Sequence, residues 1–279
     1  MKATIRLDKM LGNLGYGTRS EIKQWIKQGA VTVNGAVVKN HGLQVRPHED
    51  EVALGGETIR YRDTVYALLH KPAGVVSATA DDRDRTVIDL LDEDLAVLSP
   101  FPVGRLDKDT EGLLLLMNDG KLSHELLSPR KHVPKVYRAL VAGAVGPSDA
   151  EAFERGVKLD DGYVTMPAQL KVLASAEPGP DRRMQAAEPA DAAEMSAVLG
   201  FAPSGPECPP LSWIELTIRE GKFHQVKRMF EAVGKKVLYL RRVAMGPLRL
   251  DPGLAPGEWR ELTEDEVNSL RNYRKDGLE

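Results

Sequence analysis

Cysteine is almost missing from this chain: 279 residues contain only Cys208. No internal disulfide can form, and no Cys/His group has the spacing of zinc ligands, so a reducing compartment and a metal-free fold are expected. Long apolar runs are also missing. No stretch approaches the length needed to cross a bilayer, and the opening residues MKATIRLDKML lack the uninterrupted apolar core of a signal peptide. The expectation is a cytoplasmic protein with no membrane partner, acting as a monomer. An overall basic excess is absent as well. A net charge of −3 argues against a purely electrostatic nucleic-acid binder. The average conceals a division, however. Acids concentrate in Asp81 to Asp94, Asp181 to Glu194 and Glu258 to Glu266, whereas Lys and Arg outnumber acids in residues 1 to 46 and from Arg219 to Arg249. Two basic regions remain for a polyanion.

The chain is longer than one average domain, and its 42% hydrophobic content is enough for a substantial core. Ile5, Met10, Leu11 and Leu14 stand close to helical spacing before a break at Gly12, Gly15 and Gly17. Thr18 and Glu21 form a T-x-x-E capping box for a second helix, whose apolar face is Ile22, Trp25 and Ile26 and whose solvated side carries Arg19, Lys23 and Lys27. Two alternating runs joined by Asn34-Gly35 then predict a hairpin with both central residues at positive φ. With the R-L-D-K opening and Asp50-Glu51-Val52, these first sixty or so residues resemble the S4 RNA-binding domain. The resemblance implies that Arg6, Lys9, Arg19, Lys23 and Lys27 face RNA phosphates.

A polar stretch at Tyr61 to Thr64 precedes the apolar run Val65 to Leu69 and predicts a boundary, giving domains 1–61 and 62–279. Beyond it, β-type runs at Val75 to Ser77, Leu113 to Met117, Tyr137 to Val141, Leu211 to Ile218 and Lys236 to Leu240 alternate with helical segments at Asp149 to Arg155 and Gln225 to Val233. The pattern is α+β with a mixed, mostly antiparallel sheet and flanking helices. Residues 175 to 210, rich in Ala, Pro, Gly and acids and without periodicity, read as an inserted mobile loop that carries no chemistry.

The most informative segment is Gly104-Arg-Leu-Asp107-Lys-Asp-Thr-Glu-Gly-Leu-Leu-Leu-Leu-Met-Asn-Asp-Gly120. A charged, Gly-bounded stretch against an apolar strand is how a loop on a rigid scaffold presents a reactive carboxylate. The segment is similar to the signature of bacterial ribosomal pseudouridine synthases of the small-subunit type, which also carry an N-terminal S4 domain. His132-Val-Pro-Lys-Val-Tyr137-Arg resembles that family's K-x-Y element. Arg219-Glu-Gly-Lys-Phe-His-Gln-Val-Lys-Arg-Met resembles its E-G-x-x-H-Q-V-K-R-M element. The match runs from about Arg6 to Val267.

The resemblance implies that Asp107 is the essential carboxylate, with Arg105 beside it as its pairing residue, Lys227 facing it and Tyr137 against the target base. It further implies pocket positions at Leu106 and Leu240, and RNA contacts from His224, Arg228 and Arg242. The reaction would break the C1′–N1 bond of a uridine, turn the uracil and rejoin it through C5, with no metal or organic cofactor. The Asp can attack C1′ or take a ribose proton, and the residues do not choose between these routes. Extruding the nucleotide costs roughly a few kcal/mol, and stacking on Tyr137 would return about 1–3 kcal/mol. The H-Q-V-K-R-M wording points to one uridine of small-subunit (16S) ribosomal RNA, with an assembly intermediate as partner; a large-subunit (23S) enzyme of the same family is the alternative.

Two other classes compete. Asp107-Lys-Asp109-Thr110 has some likeness to the D-x-D-x-T string of magnesium-dependent phosphatases with an Asp nucleophile, although the Thr comes one position early. A non-catalytic S4 tether would leave Asp107, Tyr137 and Lys227 without a purpose.

Overall fold

The computed structural model describes residues 4–179, 182–203 and 208–273. They form two compact units. The first comprises Met1–Val65 with Leu91–Phe101 and Met117–Asp119; the second comprises Tyr66–Leu90, Pro102–Leu116 and Gly120–Glu279. The division thus differs from a single cut at residue 61, because two later segments join the N-terminal unit.

The N-terminal unit begins β1 (Ile5–Arg6), α1 (Leu7–Asn13) and α2 (Arg19–Gln28), followed by the short strands β2 (Val31–Val33), β3 (Ala36–Val37), β4 (Gln44–Val45), β5 (Val52–Leu54) and β6 (Glu57–Ile59). The capping box forms: Glu21 N donates to Thr18 Oγ1 at 3.3 Å, and Thr18 N donates to the Glu21 carboxylate at 2.7 Å. The tight turn forms too, with Asn34 at φ 51° and Gly35 at φ 78°. Leu7, Met10, Leu11, Ile22 and Ile26 meet Val31, Val45 and Val52 in one small core. Ile5 lies in a strand and not in the first helix.

Next come β7 (Tyr66–Lys71), α3 (Glu93–Ala96), β8 (Phe101–Pro102), β9 (Glu111–Met117), α4 (Gly120–Leu127), β10 (Lys135–Ala142) and α5 (Pro147–Arg155). They are followed by β11 (Gln169–Ala176), β12 (Met184–Ala186), α6 (Pro189–Val198), β13 (Leu211–Ile218), α7 (Gln225–Ala232), β14 (Lys236–Met245), β15 (Leu248–Arg249), β16 (Trp259–Glu261) and α8 (Glu264–Arg271). A ten-stranded sheet runs β12-β11-β13-β10-β14-β9-β7-β16, with β15 on β14 and β8 on β9. The β10–β13 and β10–β14 pairs are antiparallel, whereas β14 meets β9 in parallel through Arg241↔Glu111 and Arg242↔Gly112 alone. The fold is α+β, as expected. Val75 to Ser77 forms only an isolated bridge, Val76↔Thr86.

Residues 175–210 are not the loop that their composition suggests. Residues 180–181 and 204–207 lie outside the described residues, but the remainder contributes β12 to the sheet edge and forms α6. Asp191, Met195 and Val198 are the buried positions of α6, at spacings of four and three, and Met195 and Val198 pack with Leu173, Trp213 and Tyr239. Alanines and acids dilute the apolar contrast of this helix, which hides its period. Glu194 of α6 also reaches Arg138 at 2.6 Å and Arg241 at 3.5 Å.

Candidate active site

The loop from Gly104 to Thr110 leads into β9 and is fixed from beneath. Gly104 takes φ 74°, a left-handed turn open to glycine without strain. Ser77 binds the loop twice: its Oγ accepts from Leu106 N at 3.1 Å and donates to Leu106 O at 2.9 Å. The fully buried Lys71 donates to the carbonyls of Pro72 (2.9 Å), Lys108 (3.3 Å) and Thr110 (2.8 Å). Burial lowers the Lys71 ammonium to about 8 against the raising influence of Asp109, Glu111 and Asp107. Carbonyl hydrogen bonds are what allow such a cation to stay inside.

Asp107, on this pinned loop, faces a lysine and a histidine of the α7 segment. His224 Nε2 lies 3.6 Å from Oδ1 and Lys227 Nζ lies 3.5 Å from Oδ2. Lys227 engages Asp109 more closely, at 2.6 and 2.9 Å. Burial pushes the Asp109 carboxyl up, but the Lys227 hydrogen bonds and charge outweigh it and hold Asp109 below its usual range. Lys227 thus faces Asp107 as expected but is shared with Asp109, a residue the sequence reading passed over although it stands in the same motif.

Arg105 departs from expectation. It is exposed at the cavity and makes no ion pair with Asp107 or any other carboxylate among the described residues. The two residues are separated by Leu106 in a loop outside any regular strand, so nearness in sequence did not become a contact between charges. His224, expected as an RNA contact, lies beside Asp107 where Arg105 was expected. Its φ of 48° caps α7 and sets its ring flat against Phe223, 3.7 Å between centroids.

Asp107 opens on a cavity of about 390 Å³, within the ~300–1,000 Å³ span of small-molecule sites. One sheet face forms part of it. Lys135 and Tyr137 alternate on β10, Tyr137 is the cross-strand partner of Arg242, and Leu240 and Arg242 alternate on β14. Leu106 and Leu240 line the cavity where the sequence placed them. Tyr137 is 7% exposed and its hydroxyl has no hydrogen-bond partner among the described residues. On the opposite wall Glu220 accepts from Tyr163 OH (2.5 Å), Met166 N (2.9 Å) and Gln225 Nε2 (2.7 Å), tying α7 to the loop before β11.

Two expected surface contacts are corrected. Arg242 is 2% exposed and its Nε donates to Leu113 O at 2.8 Å, so it is an interior residue and not a surface phosphate contact. A position next to Arg241 in a basic stretch looked solvated, whereas strand alternation turns it inward. Arg228 is held by Asp161 at 2.7 Å and by Asp160, whose Oδ1 accepts from Nε at 2.6 Å. In the first unit Arg6 pairs with Asp8 at 2.7 Å, while Lys9, Arg19, Lys23 and Lys27 are exposed and have no ionic partner among the described residues.

Lys135, 9% exposed, was also missed, although its place two residues before Tyr137 on a strand was signal enough. Burial, reinforced by repulsion from Arg242 and only partly opposed by Glu220, lowers its ammonium to about 8. The unfolded state therefore binds the proton more tightly than the native state. The resulting destabilisation is full below about pH 8, shrinks as pH rises toward 10.5 and vanishes above. Lys135→Met is expected to raise Tm at pH 7, with the gain fading between pH 8 and 10.5. An advantage that grows over that interval would contradict the assignment.

Residues 65–232 match the family model described as RNA pseudouridylate synthase, and residues 5–52 match the S4 domain. The chain belongs to the RNA pseudouridylate synthase family. It is 44% identical to an uncharacterized RNA pseudouridine synthase, YtzG, of Bacillus subtilis, over 95% of this chain and 98% of the relative. It is 37% identical to ribosomal small subunit pseudouridine synthase A of Vibrio cholerae, over 95% and 99% of the two chains. It is 36% identical to ribosomal large subunit pseudouridine synthase B of Bacillus subtilis, over 95% of each. Family membership displaces the phosphatase reading of Asp107-Lys-Asp109-Thr110. No helix among the described residues of this synthase is long and apolar enough to cross a membrane.

Proposed function

We propose that the synthase isomerises one uridine of small-subunit ribosomal RNA, presented by an assembly intermediate in the cytoplasm, with Asp107 as the reacting carboxylate. The reading is carried by Asp107 at a cavity of nucleoside size, flanked by His224 and Lys227 and sharing that cavity with Tyr137. The extruded uracil stacks on Tyr137 while Asp107 attacks C1′ or removes a ribose proton. Lys227 offers the carboxylate an opposite charge from α7, with the His224 ring nitrogen beside it. The small-subunit target rests on the His224-Gln-Val-Lys-Arg-Met229 wording, and the likeness to a large-subunit synthase keeps 23S RNA as the second reading. Incubating the protein with 16S and 23S RNA, free and within precursor particles, and mapping pseudouridine decides between them; product in 23S RNA alone would overturn the first.

Lys227 separates two roles. Lys227→Met is expected to lower kcat by about 100-fold, the usual cost of one charged donor at a reacting centre. Asp109→Asn frees the same ammonium for Asp107 and should cost less than about tenfold. The opposite ranking in single-turnover assays would show that Asp109, and not Asp107, is the group Lys227 serves.

Lys9, Arg19, Lys23 and Lys27 are proposed to meet RNA phosphates. Replacing Arg19, Lys23 and Lys27 together by Gln should reduce the slope of log K against log salt by about 2 to 3 units, since each phosphate contact releases counterions. An unchanged slope would remove the helix α2 face from the RNA interface.

A further inference from the structure

The sheet face of the cavity contains two interior cations with no carboxylate to neutralise them. Arg242 is 2% exposed, and one of its terminal nitrogens, NH2, is buried without any hydrogen-bond partner. Lys135 donates only to Val133 O, at 3.1 Å. Neither makes an ion pair within 4 Å among the described residues. Glu220 is an acid whose charge acts on Lys135, but its oxygens are already taken by Tyr163, Met166 and Gln225. Lys135 and Arg242 also repel one another, which contributes to the lowered Lys135 pKa. Buried unpaired charge is among the costliest features a fold can hold. Here both charges line one cavity, Lys135 two residues before Tyr137 on β10 and Arg242 opposite Tyr137 on β14, so their missing partner belongs in that cavity.

We infer that Lys135 and Arg242 form an anion site for the detached uracil. The inference rests on the reading of Asp107 as the reacting carboxylate. When the C1′–N1 bond breaks, its electron pair goes to N1 and spreads over O2 and O4 of the ring. The leaving group is then an anion that must be held in the cavity, turned and used again. On reattachment C5 supplies the bond to C1′, the C5 proton leaves and N1 regains one, so the net change is an isomerisation without oxidant or reductant. Both routes open to Asp107 generate this anion, and donors fixed in a dry site stabilise charge that develops only during the reaction. Uncharged uracil in the ground state gains less from them. Lys135 and Arg242 therefore act on kcat more than on KM.

Leaving-group acidity provides the test. Single-turnover loss of the target nucleoside is measured by chromatography of nuclease digests for two otherwise identical RNAs, one carrying uridine and one 5-fluorouridine at the mapped site. The fluorinated ring has no C5 proton to give up, so consumption of the nucleoside and not formation of pseudouridine is followed. Fluorine withdraws electrons and stabilises the departing anion itself. Lys135→Met is expected to lose about 100-fold in rate on uridine RNA with KM changed less than about threefold, and less than about tenfold on the fluorinated RNA. Lys135→Arg should retain more activity than Lys135→Met, and Arg242→Lys more than Arg242→Gln; if the Arg242 variants do not fold, the Lys135 pair decides. A wild-type rate for Lys135→Met, or an equal loss on both RNAs, overturns the anion site. Asp107→Asn, run beside them, should be inactive on both RNAs. Activity in that variant would overturn the reading of Asp107 instead, and so separates the two failures.

Discussion

Asp107→Asn is expected to abolish pseudouridine formation, with a loss of at least about 10⁴-fold in single-turnover rate, the upper range for removing a group that both attacks and moves protons. The substitution is nearly isosteric, and the loop holding it is fixed independently by Ser77 and Lys71. The amide keeps the shape and one acceptor but removes the charge facing His224 and Lys227. Folding, Tm and RNA affinity should change little, because the 3.5–3.6 Å pairings are long and Lys227 keeps its closer contact with Asp109. Bound but unconverted uridine is therefore the expected state of this variant. Residual conversion above about one hundredth of the native rate would transfer the reaction to another group, and Asp109, 2.6 Å from Lys227, would be the first to examine.

Much of this arrangement is legible in the residues themselves, and the failures have identifiable causes. The Thr18 capping box and the Asn34-Gly35 turn rest on local rules, and they form as written. Tyr137, Leu240 and Leu106 line one cavity because their motifs lie on regular strands or a pinned loop. Which charges meet was less legible, since that depends on the direction of side chains from different elements. Arg105, two positions from Asp107 in sequence, does not pair with it, while His224 and Lys227, more than a hundred positions away, approach it from the α7 segment. Arg242 and Lys135 are charged residues that would ordinarily face solvent, and they become interior ones through strand alternation. Helix α6 was lost for a different reason. Its burial stripe includes Asp191 and is surrounded by alanines, so the contrast between faces nearly disappears.

Gly112→Ala is expected to be a severely damaging single-methyl change. Gly112 takes φ 105°, and an added Cβ would lie 2.2 Å from Arg242 O and 2.8 Å from Arg242 N, both backbone atoms. A flexible side chain can swing aside; this contact is one strand of the sheet against the next. Gly112 is also one of only two residues through which β9 meets β14, so separating them there breaks the parallel pairing. Strain at positive φ and the clash together predict a loss of roughly 3 kcal/mol or more, or a Tm lower by about 6–12 °C for a chain of this size. The same displacement reaches the site from two sides: β9 begins directly after the Asp107 loop, and β14 carries Arg242 and Leu240 into the cavity. Activity at a temperature where the variant is still folded should therefore fall as well, by tenfold or more on the scale set by misplaced reacting groups. Calorimetry of Gly112→Ala beside Gly35→Ala, whose added Cβ meets nothing within 4 Å although its φ is 78°, isolates the steric part from the cost of positive φ. Equal destabilisation by the two would mean that the β9–β14 contact can open by an ångström without consequence, and the rigidity assigned to the catalytic scaffold would be wrong.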